Sequence, residues 1–417
     1  MTLPTRRDLL LAASGIALAP ELQPAAPPPR RRPRVAVIAT VYHWLSHADV
    51  IVGRLLDGYS PNGIRRAPRT DVVSLYVEQV TDRDMSREVA GRHGIRVATS
   101  IADALTLGES RLAVDAVVLI GEHGDYPVNA AGQRLYPRAE MFREIAAVYR
   151  TSRRAVPTFV DKHLSYDWDK ATGIWRDVTA LGIPLMAGSS VPVTVRRPAT
   201  DLPLGGQVTE AVVTNYGDLE AYGFHALEAL EASVERRRGG ETGVTNVEMI
   251  RGPAVWQWRN GPGTWSVPLL TSALARHPKV APGPMEDVVR DPAVFVITYR
   301  DGLRAAVYTL NGLVVGHAIA ARGPADPVPW STYFVEGGPP YAPEEGGTRP
   351  LPNFDGLVRC IEEFFVRRRP LWPPERTLLT TGMLAHLFQT GPAGGAVETP
   401  ALAITYRPTN ETFFQDR

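Results

Sequence analysis

One short stretch limits the folds open to this chain more than any other. Ala116 to Ile120 is an unbroken apolar run that stops abruptly at Gly121, within the sequence DAVVLIGEHGDYP from Asp115 to Pro127. So short a run, apolar at every position, suits a strand buried on both faces, as in a parallel sheet covered by helices. The flanking segments fit the same pattern. Strands are expected at Arg34–Thr40, Val72–Val77, Ile95–Ala98, Thr158–Val160 and Ile183–Ala187. Between them, helical spacing is expected over Leu45–Leu56, Arg83–Arg92, Arg138–Tyr149 and Asp167–Leu181, and Ser100 is placed to cap a helix running to Leu107. Strands alternating with helices at this spacing predict an α/β fold whose N-terminal part is a doubly wound, Rossmann-like parallel sheet.

The second half reads differently. A helix over Asp218–Glu231 is followed by strand-like runs at Val244–Ile250, Ala254–Trp258, Val294–Tyr299, Leu303–Leu310 and Thr332–Val335. Asp301-Gly302 between two of them is a hairpin signal, and Gly261-Pro262-Gly263 marks another turn. Helices are expected at Val358–Val366 and Glu375–Leu387. The pattern predicts a second, α+β domain with a mostly antiparallel sheet and helices on one face. Glu235 to Glu241 reads as a charged, solvated turn. Trp256, Trp258 and Trp265 lie close together and are expected as core or interface rather than as a sugar platform.

The first residues are read as an address rather than as fold. Arg6-Arg7 precedes the apolar run Leu9–Ala19, which is too short to span a bilayer, and Ala17-Leu18-Ala19 offers small residues for cleavage. This resembles a twin-arginine export signal, with an ordinary secretory signal as the alternative, and implies a periplasmic or extracellular destination. Pro20–Pro33 is a Pro-rich tether. The expected organisation is residues 1–33 signal and tether, 34–200 Rossmann-like domain, and 201–417 substrate and oligomerisation domain. Cys360 is the lone cysteine, so the chain forms no internal disulfide. A net charge of +1 gives no footprint for nucleic acid, and no stable membrane span is expected once the signal is removed. A homo-oligomer is compatible with the sequence. There is no internal repeat, no Walker loop, no G-x-S-x-G and no zinc-type cysteine pattern.

In an open parallel sheet, ligands bind beyond the carboxyl ends of the strands. Polar residues cluster at those ends. Glu122, His123 and Asp125 follow the central strand, and Asp161, Lys162 and His163 follow the next. Glu78 ends the second strand, where an acid holds a dinucleotide's ribose. The first strand leads into Ala39-Thr40-Val41-Tyr42-His43-Trp44. A dinucleotide fold places G-x-G-x-x-G here, yet Ala39, Val41 and Trp44 fill all three glycine positions. Side chains at Val41 and Trp44 are expected to occupy the phosphate space.

Thr158 to Ser189 resembles the fifth strand, Glu-Lys-Pro turn, helix and next strand of the Gfo/Idh/MocA oxidoreductases, the glucose-fructose oxidoreductase and inositol dehydrogenase family. Lys162 takes the place of the family lysine, with Asp161 and His163 replacing glutamate and proline. Gly223-Phe224-His225 followed by Glu228 is similar to the family's D-x-G-x-H-x-x-D segment. His225 takes the place of the catalytic histidine, and Ala221, beside Glu220, that of the leading acid. Pro373-Pro374-Glu375-Arg376-Thr377 is similar to the closing helix. The resemblance implies an NAD(P)-type oxidoreductase acting on a sugar or polyol. Lys162 and His225 would then handle the alcohol proton while hydride passes to nicotinamide.

The candidate catalytic residues are therefore Lys162, His225, His123, Asp125 and His163. The candidate cofactor contacts are Thr40, Tyr42, Glu78 and Glu122. His43 and His47 are expected at the same edge. Histidines beside carboxylates serve as acid/base groups or as ligands of a divalent metal, and the sequence leaves both open. A non-redox carbohydrate lyase or hydrolase, and an inactive sugar-binding relative, stay open beside the oxidoreductase.

Overall fold

The computed structural model describes residues 31–61, 64–324, 326, 328–337, 351–390 and 395–413. The export signal, its cleavage point and most of the tether lie outside these. The elements in chain order are β1 (Arg34–Ala39), α1 (His47–Asp57), β2 (Asp71–Val77), α2 (Ser86–His93), β3 (Arg96–Val97), α3 (Ile101–Thr106), β4 (Ala116–Ile120), α4 (Arg138–Ser152), β5 (Thr158–Asp161), α5 (Trp168–Leu181) and β6 (Leu185–Gly188). There follow β7 (Arg196–Arg197), β8 (Glu210–Asn215), α6 (Ala221–Val234), β9 (Val244–Arg251), α7 (Ala254–Asn260), α8 (Val267–Leu274), α9 (Met285–Val288), β10 (Arg290–Tyr299), β11 (Arg304–Asn311), β12 (His317–Arg322), β13 (Trp330–Phe334), α10 (Asn353–Arg367), α11 (Glu375–Leu387) and β14 (Val397–Glu398).

The first sheet has the order β3-β2-β1-β4-β5-β6, all parallel. Strand β4 is buried at every position, as its composition requires. The chain reverses direction across the sheet between β1 and β4, so the crevice for a ligand opens at their carboxyl ends. Local chemistry sets the helix ends. The Ser100 hydroxyl accepts from the Asp103 N–H at 3.0 Å and the Asp167 carboxylate from the Lys170 N–H at 2.9 Å, each satisfying a donor that the first helical turn leaves unpaired. Gly182, at φ 59°, ends α5 in the left-handed conformation that glycine adopts without a Cβ clash.

The second sheet has the order β14-β9-β10-β11-β8-β12-β13-β7 and is antiparallel except where β8 pairs with β11. Helices α6 and α11 cover one face through Phe224, Leu227, Met383 and Leu384. The other face is covered as well, by Val255 of α7 and Leu269 and Leu270 of α8. The expected strand at Ala254–Trp258 is thus a helix. Gly252, at φ 64°, turns the chain out of β9, and Pro253 stands at the N-cap of α7, where its missing N–H is harmless. Trp256, Trp258 and Trp265 pack half-buried against that face.

One further expectation changes. Glu235–Glu241 is not a solvated turn: Glu235, Arg237 and Glu241 are all buried. Arg376 donates to Glu235 at 2.6 and 2.8 Å, and Arg237 donates to Glu241 at 2.8 Å and to Asp301 at 2.6 Å. These charges are tolerated because each has a partner, some far away in sequence. Helix α10 returns to the first sheet, where Leu357, Ile361 and Phe364 join the core under β1 and β2. There the buried Arg54 of α1 donates to Asp355 at 2.6 Å. The body from Arg32 onward thus forms one compact unit.

Candidate active site

The segments after the carboxyl ends of β4, β5 and β6, with His47 of α1 and with α6, border a cavity of about 710 Å³. This lies within the size range of small-molecule sites. His47, Glu122, His123, Lys162 and His225 line its floor, and Tyr216, Tyr222, Tyr333, Glu336 and Asn353 its outer wall.

Lys162 follows the last residue of β5 with φ 72°, a left-handed conformation, and its N–H donates to the Gly188 carbonyl at 3.0 Å. The bend brings Nζ to 2.7 Å from Nε2 of His225 and 3.6 Å from Glu122. An ammonium has no lone pair, so Nε2 accepts and Nδ1 carries the proton. Nδ1 then donates to the Ser189 hydroxyl at 2.6 Å, and that oxygen also accepts from the Val191 N–H at 3.0 Å. Burial, followed by the Lys162 charge, holds the His225 imidazole well below its ordinary pKa, so the ring is neutral. Behind it, Gly188 (φ 129°) admits the Glu228 carboxylate where a Cβ would stand 2.4 Å away.

Glu122 is buried beside two cations. Burial would raise its pKa, but Lys162 and Arg138 reverse that and hold the carboxyl well below the usual range. Arg138 donates to Glu122 through one Nη and to Nε2 of His163 through the other, at 2.9 Å. His163 is fully buried behind this pair and does not line the cavity. Glu220 accepts from the Arg134 N–H at 2.7 Å. Burial, with little opposing charge, raises its carboxyl to about 7. Asp125 is exposed: its N–H donates to Gln79 at 2.8 Å and its carbonyl accepts from Gln79 at 3.0 Å. The structure therefore brings Glu122, His123, Lys162 and His225 into one cavity and sets His163 and Asp125 outside it.

His47, the first residue of α1, reaches across to β5, and its Nδ1 lies 2.6 Å from Asp161. The His123 ring stands 5.2 Å from His47 and 5.9 Å from His43, centroid to centroid. Burial, then His47, lowers the His123 pKa to about 4. Among the described residues no group of three or more His, Cys, Asp or Glu side chains is arranged to hold a metal ion.

The turn after β1 does not fit a pyrophosphate held in the usual way. Thr40 is buried and donates to the Glu122 carbonyl at 2.8 Å; Tyr42 is buried as well. Val41 packs inside, but Trp44 stands 53% exposed rather than filling the turn. What closes it lies at the start of α1. The Ser46 hydroxyl accepts from the His43 and Asp49 N–H groups at 3.1 and 3.2 Å, and the Asp49 carboxylate accepts from Leu45 N–H at 3.0 Å. Backbone donors that would bind phosphate are thus used internally, and a carboxylate sits where an anion would dock. Glu78 is exposed at the end of β2, as a ribose-binding acid requires, but the Tyr126 hydroxyl already donates to it.

The chain matches no protein-family model and no curated protein. Among solved structures it is similar to GenD2 from gentamicin A biosynthesis in complex with NAD, at 15% identity and TM-score 0.53, covering 90% of this chain and 99% of that one. Myo-inositol 2-dehydrogenase from Lactobacillus plantarum is similar at 10% identity and TM-score 0.53, covering 88% and 99%. The same figures hold for scyllo-inositol dehydrogenase from Lactobacillus casei with bound NAD(H) and scyllo-inositol. The chain has the fold of the Gfo/Idh/MocA-type oxidoreductases.

Sequence reasoning missed Arg138, Ser189 as a partner of His225, and the wall residues Tyr216, Tyr222, Glu336 and Asn353. Arg138 carried a signal. A cation in the first turn of a helix is opposed by the helix dipole and calls for a nearby anion. Nothing in the sequence marks the tyrosines as cavity residues: Tyr216 and Tyr333 come from the second sheet and its connections, and Tyr222 from α6.

Proposed function

We propose that this chain is a Gfo/Idh/MocA-type enzyme acting on a hydroxylated, sugar- or polyol-like molecule, with Lys162 and His225 as its proton-handling pair. The observation that carries this is the 2.7 Å contact between Lys162 Nζ and His225 Nε2 on the cavity wall. Glu122 holds the ammonium in place, and Ser189 fixes the imidazole tautomer. A substrate oxygen set against Nζ receives a proton there, and the tyrosines and Asn353 offer hydroxyl and amide partners for a polyol. The exposed Glu78 and the NAD-bound neighbours favour a second reading, an NAD(P)-linked oxidoreductase. A dinucleotide would supply a hydride acceptor, but the β1 turn does not fit one in this fold's usual pose, and no step here runs through it.

The test is turnover of a panel of inositols, aldoses and ketoses followed by NMR, with and without NAD(P). Loss of turnover in a folded Lys162→Met variant supports the proposal, and unchanged turnover defeats it. Export by the twin-arginine route belongs to the same proposal. Changing Arg6 and Arg7 together to Lys should hold the chain in the cytoplasm, as cell fractionation would reveal.

A further inference from the structure

The place a dinucleotide would cross, from β1 toward β5, holds a His–carboxylate pair instead. Nδ1 of His47 stands 2.6 Å from the buried Asp161 carboxylate. A carboxylate only accepts, so Nδ1 donates to it, and in the neutral ring Nε2 is the nitrogen left to accept a proton. This fixes His47, a cavity-lining residue, in the tautomer of a base. The same cavity holds Lys162, an ammonium paired with Glu122 at 3.6 Å. One floor thus carries an oriented proton acceptor and a cationic proton donor, beside a turn whose donors are already used by Ser46 and Asp49.

We propose that His47, oriented by Asp161, is the general base of this cavity, and that with Lys162 as acid it enolises a keto-sugar without any dinucleotide. This rests on the reading of Lys162 and His225 as the cavity's proton-handling pair. Imidazole removes a proton from carbon only where a neighbouring carbonyl takes up the charge, so the substrate must carry a carbonyl, and a ketose supplies one with an acidified C–H on either side. His47 Nε2 takes the proton from the carbon beside the carbonyl. The C–H pair becomes the new carbon–carbon π bond, the carbonyl π pair moves onto oxygen, and Lys162 protonates that oxygen. Return of the protons, to either carbon, gives the starting sugar or its isomer. Nothing is oxidised by an external acceptor. Asp161 is a positioning residue in this scheme.

The experiment is hydrogen exchange into D-fructose and D-ribulose, incubated with the full chain in D₂O without NAD(P) and read by NMR. Deuterium is expected at carbons next to the carbonyl. His47→Gln should slow it about 100-fold, and Asp161→Asn about 10-fold with a displaced pH–rate profile. Absence of exchange from both sugars overturns the proposal, as does exchange that needs NAD(P). Exchange lost in Lys162→Met but intact in His47→Gln overturns the base and leaves the Lys162–His225 pair standing. The reverse result removes that pair and, with it, the acid assigned here. If His47→Gln does not fold, the ¹⁵N-imidazole spectrum of the unaltered chain decides: protonation at Nδ1 is expected, and protonation at Nε2 overturns the assignment.

Discussion

The two ends of one sheet edge are built on different principles. Where β5 and β6 finish, the chain holds charge at the cavity wall: Lys162 meets His225 at 2.7 Å, with Ser189 and Glu122 fixing both. Where β1 finishes, charge and hydrogen-bonding capacity are turned inward, with Ser46 and Asp49 consuming the donors of the turn. The first end presents its groups to the cavity, and the second spends them within its own turn. A fold shared with dinucleotide enzymes therefore does not carry their cofactor site with it, because side chains and turn donors make that site, not the sheet order.

The sharpest way to break this contrast is at the cavity end. Lys162→Met should lower turnover about a thousandfold, some 4 kcal/mol of barrier, while circular dichroism stays unchanged. Retained turnover would make the two ends equally inert. Next comes the buried support. Arg138→Met leaves Glu122 without its closest cation, and urea denaturation should show a loss of about 3–5 kcal/mol.

Glu220 tests the same region through pH. Its folded pKa of about 7 lies above the ordinary 4.5, so the protonated form is favoured in the fold. The stability this contributes is full below pH 4.5 and is lost as pH rises through 7. Groups acting on it are Arg134, Arg138, Asp218 and Glu122, with His163 3.8 Å away. Between pH 4.5 and 8, the native chain should lose about 3 kcal/mol relative to Glu220→Gln, as paired denaturation curves would show. The smallest effect belongs to the closed end. Trp44→Gly should change stability by under about 1 kcal/mol, since the ring is half exposed, and should not create NAD(P) affinity. Calorimetric binding after that single change would show that the tryptophan, not Asp49, closes the turn.

Much of the first sheet was legible because its signals are local. The apolar run of β4, the caps Ser100 and Asp167, and Gly182 each act within a few residues. The second sheet was less legible. Strand β12 is rich in alanine, which has little preference for strands, and α7 carries aromatic residues that favour them. At the site, Lys162 and His225 could be named from short motifs. Arg138, the Asp161 partner of His47 and the burial of Glu235 depend on contacts between distant segments, such as the 114 residues separating His47 from Asp161. Trp44 was the opposite case: its bulk suggested a blocked turn, but the backbone puts it at the surface.

His123 and Lys162 stand in the turns that follow the neighbouring strands β4 and β5, with φ of 66° and 72°, and neither is glycine. Each such backbone costs about 1–2 kcal/mol. Directed evolution for heat resistance would therefore find glycine attractive at both positions. A screen blind to turnover would collect sturdy but inert variants, each gain in melting temperature traceable to the loss of a side chain from the cavity. Libraries meant to toughen this protein should hold positions 123 and 162 fixed and draw their gains from the far face of the second sheet.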